Sequence, residues 1–179
     1  MLGIRVPSGA RHTLRGNGMP MTDPHDALPS LQAAFSAKQL AIQRCTFDRG
    51  MWVHQDKING KVRIAYIRSE GSTVVAFATF IQGQRIEDDP CFNAGWATLT
   101  SHRGKGLATR TVAVALVELT AGFGAYGQFW VEAVVGLDNP ASQKVAEHGM
   151  GVEGEPITDS VSGLPALMYR KRCALIPAR

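Results

Sequence analysis

The sequence predicts an α+β fold, a mixed sheet flanked by helices, on two observations. Segments rich in β-branched and aromatic residues stand on both sides of one helical apolar stripe, Leu107 to Leu119. Between the strand-like Cys91 to Thr100 and that helix runs Ser101-His102-Arg103-Gly104-Lys105-Gly106-Leu107-Ala108-Thr109-Arg110, a glycine-spaced turn. Gly104 and Gly106 let the backbone turn without Cβ clashes. They leave unpaired N–H groups at the helix start aimed at an anion.

The elements follow in order. Residues 1–28 carry Gly, Pro, Ser and Thr with few periodic apolar positions, and read as a disordered tail ahead of a single domain, 29–179. No continuous apolar core follows their arginines, so no signal peptide is indicated, and Met19 or Met21 could serve as the translation start. Pro29 suits a first helical turn, and Leu31, Phe35 and Ile42 mark one face of a helix reaching about Gln43. Phe47 to His54 reads as a strand. Val62 to Arg68 and Thr73 to Gln82 flank Ser69-Glu70-Gly71-Ser72 as an antiparallel hairpin. Gln84 to Pro90 is a polar loop whose Glu87, Asp88 and Asp89 could attract a cation. After the glycine turn and its helix, Gln128 to Val135 reads as a strand. Asn139-Pro140-Ala141-Ser142 opens a short helix to about His148, and Leu167-Met168-Tyr169 forms a last short strand.

Composition sets bounds. With 179 residues, 45% of them hydrophobic, the chain is long enough for one domain with a real core and short for two. No stretch approaches a membrane span. The three cysteines, Cys45, Cys91 and Cys173, are odd in number and widely spaced, which argues against a disulfide framework and a zinc site and suits a reducing cytoplasm. His102 and His148 lack metal-ligand spacing, so no metal is expected. Arg5, Arg11 and Arg15 supply +3 of the formal +4 charge, leaving 16 basic against 15 acidic residues. A nearly neutral body does not suggest a nucleic-acid partner, and Arg170-Lys171-Arg172 reads as a solvated chain end.

The glycine turn is not a Walker loop, because position 99 is Leu and Lys105 is followed by Gly106. As a dinucleotide fingerprint it lacks the third glycine, at Thr109, and any surrounding βαβ series. Arg103-x-x-Gly106-x-Ala108 does match R/Q-x-x-G-x-G/A. With Asn139-x-x-Ser142, Gly149-Met150 and Glu153-Gly154 behind it in order, residues 73 to 172 resemble the GCN5-related N-acetyltransferases (GNAT), in motif closest to the ribosomal-protein N-terminal (RimJ/RimL-like) branch.

That resemblance implies a central, mostly antiparallel twisted sheet flanked by helices, with coenzyme A held between two splayed strands, Cys91 to Thr100 and Gln128 to Val135. It implies cofactor contacts from Thr98, Leu99, Thr100, Arg103, Gly104, Lys105, Gly106, Leu107, Ala108, Asn139 and Ser142, with Lys105 and Arg110 available to neutralise phosphates. The implied activity is transfer of acetyl from acetyl-CoA to a primary amine, a protein N-terminus or a small molecule, by direct attack in a ternary complex. Glu132, mid-strand on one face with Trp130 and Val134, and Asp159 are the candidate bases, Glu132 with an ion-pair alternative. Ser142 could donate to the coenzyme A sulfur or bond nearby backbone. Asn139 is a helix N-cap in its own right. The tyrosine that many family members carry seven residues after the asparagine is Ala146 here. Trp96 could line the acceptor pocket or simply fill the core. Two other readings stay open: a non-catalytic acyl-CoA-binding regulator, and a toxin-like acetyltransferase of aminoacyl-tRNA, which needs a basic groove. Acceptor identity, acyl length and a homodimeric state are not decided by the residues.

Overall fold

The computed structural model describes residues 23–124 and 127–174. The strands are β1 (Ile42–Arg44), β2 (Met51–Ile58), β3 (Lys61–Glu70), β4 (Thr73–Gln82), β5 (Cys91–Thr98), β6 (Phe129–Gly136), β7 (Gly154–Thr158) and β8 (Pro165–Cys173). They form one sheet in the order β1-β2-β3-β4-β5-β6-β8-β7. Every pairing is antiparallel except β5 with β6. The helices are α1 (Leu28–Ser36), α2 (Leu107–Phe123) and α3 (Pro140–Val145), the last continued by a π turn, Ala146–Met150. The α+β class read from the sequence is the observed one.

The middle strands β3 and β4 are buried over consecutive residues while β6 alternates, and the core sorts onto two faces of the sheet. Val112, Ala115, Leu116 and Leu119 of α2 pack with Ile64, Tyr66, Phe80, Phe92, Trp96 and the odd-numbered β6 residues Phe129 to Val135. On the opposite face Leu28 of α1 packs with Ala65, Ile67, Val74, Phe77 and Ala97. The stripe predicted for α2 is thus a core face that fixes the helix, and with it the glycine turn, across the sheet. Arg68 ties the same layers by polar bonds. Its guanidinium donates to buried Thr111 of α2 at 3.1 Å and to Asp48 at 2.7 Å.

Several elements differ from the sequence reading, each for a local reason. The first helix ends at Ser36, because Lys38 takes a left-handed φ of 56° and the Gln39 N–H closes back on the Ala34 carbonyl. Ile42 therefore belongs to β1, not to a helix face. The second strand starts at Met51 rather than Phe47: Asp48 accepts from the Gly50 N–H at 2.8 Å, making a turn that leaves Phe47 exposed. In the loop after β4, Glu87 and Asp88 sit at left-handed φ in a tight turn closed by Ile86 and Asp89. The last strand runs from Pro165 to Cys173, and β7 pairs along it. Arg170-Lys171-Arg172 is thus not a chain end but part of a strand, with Arg170 paired to Glu132 and Arg172 over the Trp130 ring.

Residues 23–28, read as tail, are structured. Pro24–Ala27 forms a 3-10 turn capped by Asp23, and Leu28 is buried. The rest of that predicted tail, with Met19 and Met21, lies outside the described residues. All three cysteines are free and buried. No described helix is long and apolar enough to cross a membrane, and no cluster of metal-ligating side chains occurs among the described residues.

Candidate active site

The parallel pairing of β5 and β6 covers only Cys91–Asn93 against Trp130–Glu132. Beyond it β5 continues with β4 alone and β6 with β8 alone, so the two strands part into a V. Its closed end is packed by Phe92, Phe123 and Phe129, whose ring centroids lie 5.3 to 6.2 Å apart. The direction of the β5 backbone follows from two bonds: the Leu99 N–H donates to Val75 and the Cys91 carbonyl accepts from Gly83, both on the β4 side. By alternation the peptide groups of Ala94, Trp96 and Thr98 face the V, where no strand pairs with them.

At the mouth of the V stands the start of α2. Gly104 and Gly106 have φ of 76° and 70°, and no side chain caps the helix. A Cβ added at either glycine would meet no atom within 4 Å, so both border open space. Past the 3-10 turn Thr100–His102, the first turn of α2 leaves N–H groups without helical partners at the positive end of the helix dipole. Across the mouth, the Asn139 side chain caps α3 by accepting from the Ser142 N–H at 3.1 Å, as its sequence position suggested. Gly149 seats the π turn on α2, with Thr109 O and Val112 at 3.1 to 3.2 Å from a notional Cβ.

Two adjoining cavities occupy this region. The first, about 470 Å³, is bordered by Trp96 to Thr98, His102 to Gly104, Gly106 to Thr109, Asn139 and Ser142. The second, about 240 Å³, lies in the V between Ala94 to Trp96 and Ala133 to Gly136. They share Asp23, Trp96, Asn139 and Ser142. Trp96 is 8% exposed, packs in the core and borders both cavities.

Of the residues singled out from sequence, Thr98, Arg103, Gly104, Gly106, Leu107, Ala108, Asn139 and Ser142 converge on the first cavity. Leu99, Thr100 and Lys105 do not border it: the Leu99 N–H is spent on β4, and the Thr100 hydroxyl meets His25 at 3.3 Å. Arg110 does not border it either. Glu132 sits at the closed end of the V and borders neither cavity. Its carboxylate accepts from Arg170 at 2.5 to 2.6 Å, the ion-pair alternative. Asp159, 6% exposed, braces the β7–β8 turn by accepting from the Ser162 N–H and hydroxyl at 2.8 and 2.6 Å. Those bonds hold its carboxyl below the usual range, which makes it a poor proton acceptor at neutral pH. Cys91 is no nucleophile either, because burial beside Glu132 pushes its thiol up to about 12. Sequence reasoning missed Asp23, His25, His102 and Lys144. Asp23 and His25 had no local signal, because packing onto β5 brings them in.

With this geometry in place, the Acetyltransferase (GNAT) family matches residues 31–152, which hold β1 to β6, the glycine turn and α3. The chain belongs to the GNAT acetyltransferase family. Solved structures similar to this GNAT chain include an acetyltransferase of the GNAT family from Streptococcus pneumoniae, 11% identical, covering 63% of this chain and 67% of its own, at a TM-score of 0.49. RimL, a ribosomal L7/L12 alpha-N-protein acetyltransferase in complex with coenzyme A, is 17% identical over 61% of each chain, at 0.45. The aminoglycoside acetyltransferase AAC(6')-Ib in complex with coenzyme A is 22% identical over 61% of this chain and 65% of its own, at 0.48. The chain thus spans between three fifths and about two thirds of the length of these structures. No curated protein matches it.

Proposed function

We propose that this chain is an acetyl-CoA-dependent N-acetyltransferase that acetylates a primary amine by direct attack within a ternary complex. The observation that carries the reading is the V between β5 and β6, opening onto an uncapped helix start. The residues fit a coenzyme A thioester, which when bound would supply the activated acetyl group. The N–H groups from Gly104 to Thr109, with Arg103, are suited to a pyrophosphate. The unpaired peptide groups of Ala94, Trp96 and Thr98 can take an extended amide-bearing arm as a further strand, and one N–H among them can hold a developing oxyanion. The Ser142 hydroxyl, bordering both cavities, can donate to a departing sulfur.

The proton on the amine decides which acceptor such a site handles most easily. At pH 7 a lysine amine costs roughly 4.6 kcal/mol to neutralise and an α-amine near 8 about 1.4 kcal/mol. A cleft whose predicted bases are tied up elsewhere therefore suits a protein or peptide N-terminus, in keeping with the order of motifs shared with the RimJ/RimL-like branch. The three buried, free thiols suit a reducing cytoplasm.

Mass spectrometry of free-N-terminus peptides and small amines incubated with the protein and acetyl-CoA tests this. Acetylated product and free coenzyme A thiol in equal amounts are expected. Tight coenzyme A binding with no product across the panel would favour the non-catalytic reading. Glu132→Gln separates the two roles weighed for that residue. Turnover is expected to stay near wild type, with a stability loss of about 1 kcal/mol or less from the weakened Arg170 pair, measured by urea denaturation.

A further inference from the structure

We infer that Asp23 is the specificity-determining residue for the acceptor, and that it receives the ammonium group of a cationic primary amine entering the V on the face opposite α2. The inference rests on the acetyltransferase reading and adds the side of approach and the recognising group.

The placement of Asp23 is built by contacts on both sides of it. Trp96 turns toward α2, so Gly95 by alternation turns to the other face, and a Cβ on Gly95 would meet the Pro24 ring at 3.1 Å. The absent side chain makes room for the Pro24–Ala27 turn to lie directly on β5. Two residues on, the His25 ring meets the Thr100 hydroxyl at 3.3 Å, a second point of attachment to the strand end. Asp23 caps the turn by accepting the His25 N–H on one carboxylate oxygen at 2.8 Å, which fixes the side chain and leaves the second oxygen without a protein partner among the described residues.

The charges bordering the two cavities differ in balance. The larger one carries Arg103, Lys144 and the α2 start, the equipment for an anion, with Asp23 on the border it shares with the smaller. The smaller one, within the V, has Asp23 and Asp138 as its ionisable residues and no basic side chain. Its remaining walls are uncharged: the strand backbones with Pro24, Trp96, Val134, Asn139 and Ser142. A small cavity with a fixed carboxylate, free of competing cations and joined to a cationic cleft, selects a positively charged group for one end and a phosphate for the other.

The test uses the full chain. Tetra-alanine amide with a free α-amine, its N-acetylated counterpart and n-butylamine are titrated against protein saturated with coenzyme A and against unloaded protein, followed by amide chemical shifts. Asp23→Asn preserves the capping oxygen, so it isolates the charge. Asp26→Asn, on the same turn but bordering neither cavity, serves as the control. Both free amines are expected to bind and shift Gly95, Trp96 and Val134, and the acetylated peptide to fail. Asp23→Asn should weaken amine binding about fivefold or more and flatten its salt dependence, in coenzyme A-loaded and unloaded protein alike. Equal amine affinity in wild type and Asp23→Asn, equal binding of the acetylated peptide, or no amine binding at all would overturn the inference. Failure to bind coenzyme A would count against the acetyltransferase reading instead, since the unloaded titration judges Asp23 independently.

Discussion

Gly106→Glu is expected to abolish coenzyme A binding while leaving the fold in place. The position borders open space at the start of α2, so a carboxylate there meets no protein atom that could absorb it. It would stand among the N–H groups proposed to hold the pyrophosphate and convert an anion-attracting helix end into a repelling one. Two like charges about 4 Å apart at an effective dielectric of 20 repel by about 4 kcal/mol, close to a thousandfold in affinity. The left-handed φ of 70° adds a folding cost of about 1–2 kcal/mol for any residue with a Cβ. Gly106→Ala carries that cost alone, so comparing the two variants by calorimetric titration and thermal melting separates repulsion from strain. A glutamate variant that binds as well as the alanine variant would remove the loop from the account.

Phe129→Ala is expected to be the most damaging single truncation near the site. The residue is 2% exposed and locks β6 to β5 and α2 at the closed end of the V through Phe92 and Phe123. Loss of a buried phenyl ring costs about 3–5 kcal/mol, against a typical total of about 5–15 kcal/mol. For a domain of this size that lowers Tm by roughly 10 °C. Because the aromatic cluster sets where the strands begin to part, the surviving folded protein should also bind coenzyme A more weakly. Phe129→Leu, which refills most of the volume, should recover the greater part of both losses. A Tm change of under about 2 °C for the alanine variant would show that the cluster does not hold the V closed.

What was legible in the sequence was what is local. The glycine turn, the Asn139 cap and the α2 stripe each rest on residues adjacent in the chain, and each stands where the pattern put it. The end of α1 was missed because its left-handed residue is Lys38 rather than glycine. The edge strand β7 carries Pro156 and exposed polar residues, and only its ladder with β8 makes it a strand. Glu132 looked like a base because its strand lies beside the proposed cleft, although a mid-strand carboxylate also needs a partner. That partner, Arg170, lies 38 residues further on, in a segment that read as a chain end. Asp23 and His25 fell within a stretch whose composition suggests disorder, and Gly95 on β5, about 70 residues further on, gives them their place. The side of the cleft proposed for the donor is therefore written in contiguous motifs, and the side proposed for the acceptor in tertiary packing.

The most direct test of the cleft is an amide chemical-shift titration of the wild-type chain with coenzyme A. Saturable shifts concentrated at Gly104 to Thr109, at Ala94, Trp96 and Thr98, and at Asn139 and Ser142 are the predicted result. Shifts confined to the apolar surface around Phe35, Leu40 and Trp52, or no saturable change, would contradict it.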